Sequence, residues 1–318
     1  NRDPLPFYSR RIGLDASGNR QDVDLGVKAT GRLGQYRLGF LNTKMNGSGD
    51  VDGENLGVLR LRTDVLREST AGIIMTWGDP AGGRATTAGA DFNWRRSDLE
   101  DGGTATGNAW AQFTDNEDDS GGAFGGKLSY SSDKLSIRGG FARLLEGFDP
   151  KLGFVRVPEA DEWFYGIERA WRPSNPLIRR VKVGMSGSIY DEIRPNARFD
   201  RMTLEPLALQ SERGDRINVK LERYQEQLAD AFSPIEGVSV DAGEYDYWRG
   251  SVSWSTPNQQ ALSGGINLGG GEYYDGERLQ YSGSLDWRVR TGLAATVAME
   301  WNKLMYAGQS ELVRVIRA

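Results

Sequence analysis

Two acidic runs carry the most obvious chemistry in this sequence, because carboxylate oxygens at short spacing can hold a cation. The run 46–54 (NGSGDVDGE) places oxygen ligands at alternating positions, as Ca²⁺ favours. It lacks the spacing of a calcium-binding loop, which ends on a bidentate Glu at its twelfth position. The run 115–119 (DNEDD) is also acidic. We interpret both runs as solvated loops and predict no metal site.

The residue types that dominate enzymatic catalysis are missing. The 318 residues include no His and no Cys, which excludes Ser-His-Asp triads, thiol nucleophiles, zinc–thiolate sites and iron–sulfur ligation. Paired carboxylates could hydrolyse glycosides, but among 44 acidic residues some pair always has a suitable separation. No helix follows the glycines 269–271 to form a phosphate cradle, so we interpret them as a flexible loop. We predict no catalytic residue, no cofactor and no enzyme.

The charge balance argues against a nucleic-acid partner. The chain has 39 basic and 44 acidic residues, for a net charge of -5, and the two signs are interspersed. A protein that binds nucleic acid usually presents a basic tail or a basic domain, and neither is evident here.

Apolar and polar residues alternate along much of the chain. In 181–189 (VKVGMSGSI) the odd positions are apolar or Gly, and the even positions are Lys, Gly or Ser. The same two-residue period runs through 23–30, 279–289 and 293–301, whereas no segment shows an equally sustained helical stripe. Weaker examples occur at 36–40, 71–77, 88–94, 163–171, 217–222 and 247–255. This period is typical of strands with one apolar face, so we predict an all-β fold.

The strands are suited to crossing a membrane. No apolar run approaches the roughly 20 residues of a membrane helix, but a strand needs only about 9–11 residues to cross. The period gives about 17 or 18 strands, in the range of large barrels. We therefore predict a transmembrane antiparallel up-and-down β-barrel of about 16–20 strands. Aromatic residues near strand ends fit interfacial girdles: Phe7, Tyr8, Trp77, Trp94, Trp163, Trp171, Trp248, Trp301 and Tyr306.

The links between these segments alternate in length. Short links are predicted at 31–35, 66–69, 131–134, 210–215, 256–260 and 290–292. Long links are predicted at 43–55, 78–87, 115–122, 144–162, 225–245 and 269–278. Outer-membrane barrels have short periplasmic turns and longer extracellular loops. We therefore expect a first strand around 5–14 that begins in the periplasm.

Several motifs, in this order along the chain, resemble a bacterial outer-membrane β-barrel domain of unknown function. They are PFYSRRIGL at 6–14, VKATG at 27–31, YRLGFLN at 36–42, FDPKLGFV at 148–155 and YYDG at 273–276. In that family the barrel follows a periplasmic domain similar to family-nine carbohydrate-binding modules. The resemblance implies location in the outer membrane and no established activity.

The resemblance and the termini together define the expected domain organisation. We expect 1–318 to be one outer-membrane barrel domain within a longer protein, integral in the membrane and with the N-terminus of this segment in the periplasm. The missing parts would be a signal peptide, the preceding periplasmic domain and further C-terminal strands, since 312–318 stops within an alternating pattern. The expected partners are outer-membrane lipid, lipopolysaccharide bridged through divalent cations, and a periplasmic or surface protein.

The polar face of the strands bears on function, because in a barrel of this size it lines a lumen wide enough for water. The predicted lumen-lining residues are Lys28, Arg37, Arg138, Glu168, Lys182, Lys220, Glu222, Arg249, Asp286, Arg288 and Glu300. The leading hypothesis is a porin-like channel or uptake component for polar solutes such as saccharides. The alternatives are a non-conducting barrel that anchors a complex, with the links 144–162 and 225–245 able to fold inward, and a secreted soluble carbohydrate-binding protein.

Overall fold

The computed structural model is almost entirely β-structure, as the alternation predicts. It describes residues 3–14, 18–46, 53–192, 197–235, 238–290, 292–306 and 309–317. In chain order the strands are β1 (Val23–Leu33), β2 (Tyr36–Met45), β3 (Asn55–Val65), β4 (Ser69–Trp77), β5 (Ala85–Arg96), β6 (Thr104–Asn116), β7 (Ser120–Ser131), β8 (Leu135–Leu144), β9 (Ala160–Trp171), β10 (Ile178–Glu192), β11 (Ala197–Ser211), β12 (Arg216–Leu228), β13 (Phe232–Ile235), β14 (Val238–Val240), β15 (Gly243–Ser255), β16 (Leu262–Tyr273), β17 (Gly276–Arg290), β18 (Leu293–Tyr306) and β19 (Gln309–Arg317). A short 3₁₀ helix spans Ser9–Arg11. No helix in the described ranges is long and apolar enough to cross a membrane.

Seventeen of the strands belong to one antiparallel up-and-down sheet, and β13 and β14 form a separate hairpin. Strands that follow each other in the chain are paired, and β12 pairs with β15 across the hairpin. The predicted strand count and strand order are thus confirmed. Among the described pairings, none joins β1 to β19.

The prediction of link lengths is confirmed in part. All six links predicted to be short lie between consecutive strands, and the long links at 46–54, 78–84, 145–159 and 229–242 are present. Two predicted long links are wrong, because β6 and β7 are separated only by 117–119, and β16 and β17 only by 274–275. The glycines 269–271 lie inside β16, where each is paired with a β15 residue, so they are not a loop. The calcium-like part of 46–54 lies mostly outside the described residues.

The expected strand around 5–14 is also wrong. This segment contains the 3₁₀ helix, and Leu5 forms an isolated antiparallel bridge with Phe154 in the 145–159 link. Tyr8 donates its backbone N–H to the carbonyl oxygen of Leu152 at 2.7 Å. The segment therefore lies along a link and adds no strand to the sheet. Phe7 packs against buried apolar residues of β2 and β3 and is not in an aromatic girdle.

By its internal contacts the chain divides into two compact units. The first consists mainly of Asn1–Tyr130 and Arg138–Trp163, and the second mainly of Phe164–Asp191 and Pro195–Ala318.

In the first unit, cross-strand register places the apolar residues of β1 to β6 on one face. Leu61 lies opposite Leu38 and Ile73, and Ile73 lies opposite Ala90, which lies opposite Ala111. Many large side chains of this face are exposed, including Leu38, Leu59, Ile73, Met75, Phe92 and Phe113. A sheet in water normally buries its apolar face against another layer, whereas these side chains have no covering layer among the described residues.

The second unit has the same arrangement. Val252 of β15 lies opposite Val219 and Leu268, and Leu285 of β17 lies opposite Gly264 and Val297. Exposed members of this face are Leu221, Val252, Trp254, Ile266, Leu268, Tyr281, Leu285, Trp287, Val297 and Met299. The intervening residues are largely Ser, Asn, Gln and charged residues, so the opposite face of these strands is polar.

Candidate functional site: the polar faces of the two units

The polar face of the first unit carries charged and amide side chains that bond across strands. Arg60 of β3 forms an ion pair with Asp91 of β5 at 2.5 Å, and both side chains are largely covered. Asn93 donates to Asp91 at 2.8 Å, and Asn108 of β6 donates to Asn93 at 2.9 Å. Arg62 donates to Thr70 at 2.8 Å. These contacts follow from the register, which aligns the even-numbered residues of β3 with the odd-numbered residues of β5 on one face.

Much of this face is covered by the chain itself, through alternate residues of β6. Gln112 donates to the carbonyl oxygen of Pro4 at 3.0 Å, and Thr114 donates to the carbonyl oxygen of Gly147 at 3.3 Å. Asn116 donates to the carbonyl oxygen of Asp149 at 2.9 Å. The two-residue period of β6 thus attaches both the N-terminal segment and the 145–159 link to the polar face.

Two apolar clusters fix the same two segments at one end of the face. Met45 of β2, Leu56 of β3 and Leu152 of the link are almost fully buried together, with Phe7 and Ile12 packed against them. A second cluster joins Trp110, Ala123, Ala142, Leu144 and Phe148. The segment 3–14 and the link 145–159 both lie on this face, and we call them together the inner cover. The link 145–159 thus lies against the polar face of this unit, and whether it narrows or blocks a lumen stays a prediction.

Lys151 adds an ionic contact within the inner cover. Its ammonium group lies 2.7 Å from Asp149 and 3.9 Å from Asp79. The hydrogen bond to Asp149 raises the pKa of Lys151, so its charge is held at all physiological pH values.

The polar face of the second unit carries a cluster of tyrosines. Tyr224 of β12 stacks on Tyr247 of β15 with ring centroids 5.1 Å apart and planes 12° apart. Tyr273, at the end of β16, and Tyr274, in the following turn, have centroids 6.3 and 5.3 Å from Tyr247. Tyr245 meets Tyr274 edge to face at 4.9 Å. We name these five residues the tyrosine cluster.

Acidic and basic side chains surround the tyrosine cluster. Glu226 accepts hydrogen bonds from Tyr247 at 2.9 Å and from Tyr274 at 2.6 Å. Burial is the main cause of the raised pKa of Tyr274, and the neighbouring Glu226 raises this pKa further. The Tyr274 phenol is therefore neutral and donates the hydrogen bond to Glu226. The Arg249 guanidinium lies over the rings of Tyr224 and Tyr273, at 5.4 and 5.5 Å.

An ion pair completes this region. Arg201 of β11 pairs with Glu222 of β12 and also lies over the ring of Tyr224, at 5.4 Å. Away from this end, the same face of β15 to β17 carries small side chains such as Ser253, Ser282 and Ser284. Aromatic groups are therefore concentrated at one end of this face, whereas charged residues such as Lys220, Asp286 and Arg288 also occur along the rest of it.

The structure places the sequence-predicted polar residues as the alternation requires wherever the register is described. Lys28, Arg37, Lys220, Glu222, Arg249, Asp286, Arg288 and Glu300 lie on the polar faces of their units. Glu168 and Lys182 form an ion pair at 2.9 Å, and Arg138 is exposed on β8. Only Glu222 and Arg249 come together with the tyrosines, so the eleven residues do not form one site.

The tyrosine cluster and the part of the inner cover formed by 3–14 are features that the sequence did not predict. For the tyrosines a signal was present, since Tyr224, Tyr247 and Tyr273 occupy polar-face positions of their alternating patterns. Among known protein families, no family model matches this chain. No characterised protein matches it either.

Proposed function

We propose that this chain is an integral outer-membrane β-barrel whose polar face lines a path for polar solutes such as saccharides. The supporting observation is the inside-out arrangement of both units, in which an exposed apolar face backs a face of ion pairs and hydroxyl groups. Strands of outer-membrane barrels alternate in this way, apolar towards lipid and polar towards the lumen. We propose no enzymatic activity.

Closure of the sheet is part of the proposal. An open sheet edge in lipid would leave backbone N–H and C=O groups without partners, at a cost of several kcal/mol each. β1 is exposed along its whole length, and its only described register is with β2. Its second edge therefore needs a partner strand in the membrane.

The proposed topology follows from the three longest links. The links 46–54, 145–159 and 229–242 would lie on the extracellular side, and turns such as 132–134 on the periplasmic side. Because 5–14 adds no strand, β1 begins at the end of the sheet that carries these links, so link length alone no longer places the N-terminus in the periplasm. A preceding carbohydrate-recognising domain of the kind that the resemblance implies stays a prediction. Lipid, lipopolysaccharide and a periplasmic or surface protein are the proposed partners. Epitope tags at Ser48 and Ser132 test this topology, because only the tag at Ser48 should bind antibody on intact cells.

Ion conductance in planar bilayers tests the channel function. A water-filled lumen predicts discrete current steps when the refolded protein is added, and these steps should grow with salt concentration. A matched sample kept unfolded in urea is the control for detergent artefacts. Stable insertion without any current would contradict the channel.

A specific observation favours the second candidate, a non-conducting barrel that anchors a complex. The inner cover lies on the polar face of the first unit and buries Leu152 to 1% exposure, as a permanent plug would. Removing the link part of the inner cover, which carries Leu152, separates the two candidates. A channel that is only narrowed by it should conduct before and after deletion of 146–154, whereas a plugged anchor should conduct only after the deletion.

A further inference from the structure

The tyrosine cluster has the composition of a binding site for an uncharged, ring-shaped polar molecule. Tyr247 is buried at 3% exposure and supports the other rings, whereas Tyr224, Tyr245, Tyr273 and Tyr274 remain partly exposed. Ligand sites typically combine such aromatic surface with a few fixed polar groups. Tyrosine suits this role because its ring is apolar and its hydroxyl is polar.

We propose that the tyrosine cluster binds neutral saccharides, with pyranose rings lying against the exposed tyrosines and hydroxyl groups bonded to Arg249. A pyranose presents an apolar C–H face to an aromatic ring and directs its hydroxyl groups outward, so it needs polar partners beside the ring. Among the described residues, Arg249 has no carboxylate within ion-pairing distance, and its guanidinium donors lie beside Tyr224 and Tyr273.

The charges around the cluster favour a neutral ligand. The charges nearest the rings are almost balanced, with three positive residues (Arg201, Arg249 and Arg278) and four negative ones (Glu222, Glu226, Asp241 and Asp275). Glu226 is already bonded to two tyrosine hydroxyl groups, and Glu222 to Arg201. A site with almost balanced charge offers little net attraction to an anionic or cationic solute. The hydroxyl groups of a neutral saccharide can instead donate hydrogen bonds to the site and accept hydrogen bonds from it.

The backbone at Tyr274 supports a functional role for the cluster. Tyr274 has φ 51° in the two-residue turn 274–275, in the left-handed region that Gly or Asn normally occupies in such turns. A bulky residue there is an outlier, and strain of this kind concentrates at functional sites. The strained conformation directs the Tyr274 ring onto Tyr247 and its hydroxyl to Glu226.

The position of the cluster fits capture of a solute at a channel entrance, and in this respect the inference rests on the proposed function. Tyr224, Tyr245 and Tyr273 lie at the strand ends next to 229–242 and 274–275. Phe232 of the β13–β14 hairpin contacts Tyr274, with centroids 5.6 Å apart. The proposed topology places this end outside the cell.

Calorimetric titration of the refolded, detergent-solubilised protein with maltohexaose, cellohexaose and chitohexaose tests the site. We expect at least one hexasaccharide to bind, and Arg249→Gln and Tyr273→Ala each to weaken that binding on the order of tenfold. The matched controls are Arg288→Gln, on the same face, and Tyr281→Ala, on the apolar face; both should bind as the unmodified protein does. Heat-modifiable gel mobility reports whether each variant is folded.

A second measurement needs no variant. Binding of a neutral saccharide should not change between about 0.05 and 0.5 M KCl, because screening acts on charged ligands. Absence of binding by all three hexasaccharides, unchanged binding by both cluster variants, or salt-dependent binding of oligogalacturonate in their place would overturn the inference. Conductance of the same protein keeps the two proposals separate, since a conducting channel without saccharide binding contradicts only this inference.

Discussion

The polar faces of the two units differ at the ends that carry the long links. In the first unit this end is apolar, with Met45, Leu56 and Trp110 buried beneath the inner cover. In the second unit the corresponding end carries the tyrosine cluster with Arg249 and Glu226, and four of its five rings are partly exposed.

The comparison shows that one strand pattern can support two different uses of a polar face. Both units alternate apolar and polar residues, so the backbone and the exposed apolar face are similar in kind. The difference comes from a few polar-face positions near the strand ends. Apolar side chains there are stable only when covered, whereas tyrosines with polar partners tolerate contact with water.

The largest effect is expected from removing the best-buried side chain of the inner cover. Leu152→Ala should weaken the attachment of 145–159 by about 2–5 kcal/mol, because it leaves a cavity beside Met45 and Leu56. Hydrogen exchange should then increase in 145–159 while β2 and β3 stay protected. Leu145→Ala, at a side chain that is 43% exposed, is the control. Equal protection of the link in both variants would show that the cover is not held by this cluster.

A charge on the apolar face should produce the next largest effect. Leu285→Arg should cost about 2–4 kcal/mol in lipid, because residue 285 would face the membrane near its middle. Ser284→Arg is the matched control on the polar face and should be nearly neutral. The midpoint of urea unfolding in lipid vesicles measures both. A larger loss for Ser284→Arg would mean that the faces are assigned the wrong way round.

A smaller effect is expected from one polar contact of the inner cover. Asn116→Ala removes the hydrogen bond to the Asp149 carbonyl oxygen and should weaken the cover by about 0.5–1.5 kcal/mol. Thr203→Ala, on the polar face of the second unit, should leave the exchange of 145–159 unchanged. Faster exchange at Asp149 and its neighbours is the expected result. Identical exchange in Asn116→Ala and the unmodified protein would show that this bond does not hold the link.

The sequence predicted the sheet well because alternation is a local property. Segments such as 181–189 and 279–289 fall within β10 and β17, and for β17 the described register confirms which residues share a face. The same pattern located most of the short turns. It also placed Glu222 and Arg249 on a polar face without showing that they are cross-strand partners.

The errors have physical causes that a local pattern does not contain. The glycines 269–271 resemble a loop, yet Gly271 is required inside β16, since a Cβ atom there would lie 2.4 Å from the Trp248 carbonyl oxygen. In the tight turn at 274–275, Tyr274 occupies a position where Gly or Asn is usual. The inner cover depends on contacts between Leu5 and Phe154, which are remote in sequence. The tyrosine cluster likewise requires knowledge of strand pairing.

The most direct test of the claim that the strands span a membrane is cysteine labelling in lipid vesicles. The chain has no native Cys, so only the introduced residue can react. Single variants Leu285→Cys, Asp286→Cys, Val183→Cys and Lys182→Cys are treated with a water-soluble and a lipid-soluble maleimide. The account predicts that the variants at Asp286 and Lys182 react with the water-soluble reagent and those at Leu285 and Val183 with the lipid-soluble one. Equal labelling of all four by the water-soluble reagent would contradict a membrane-spanning barrel.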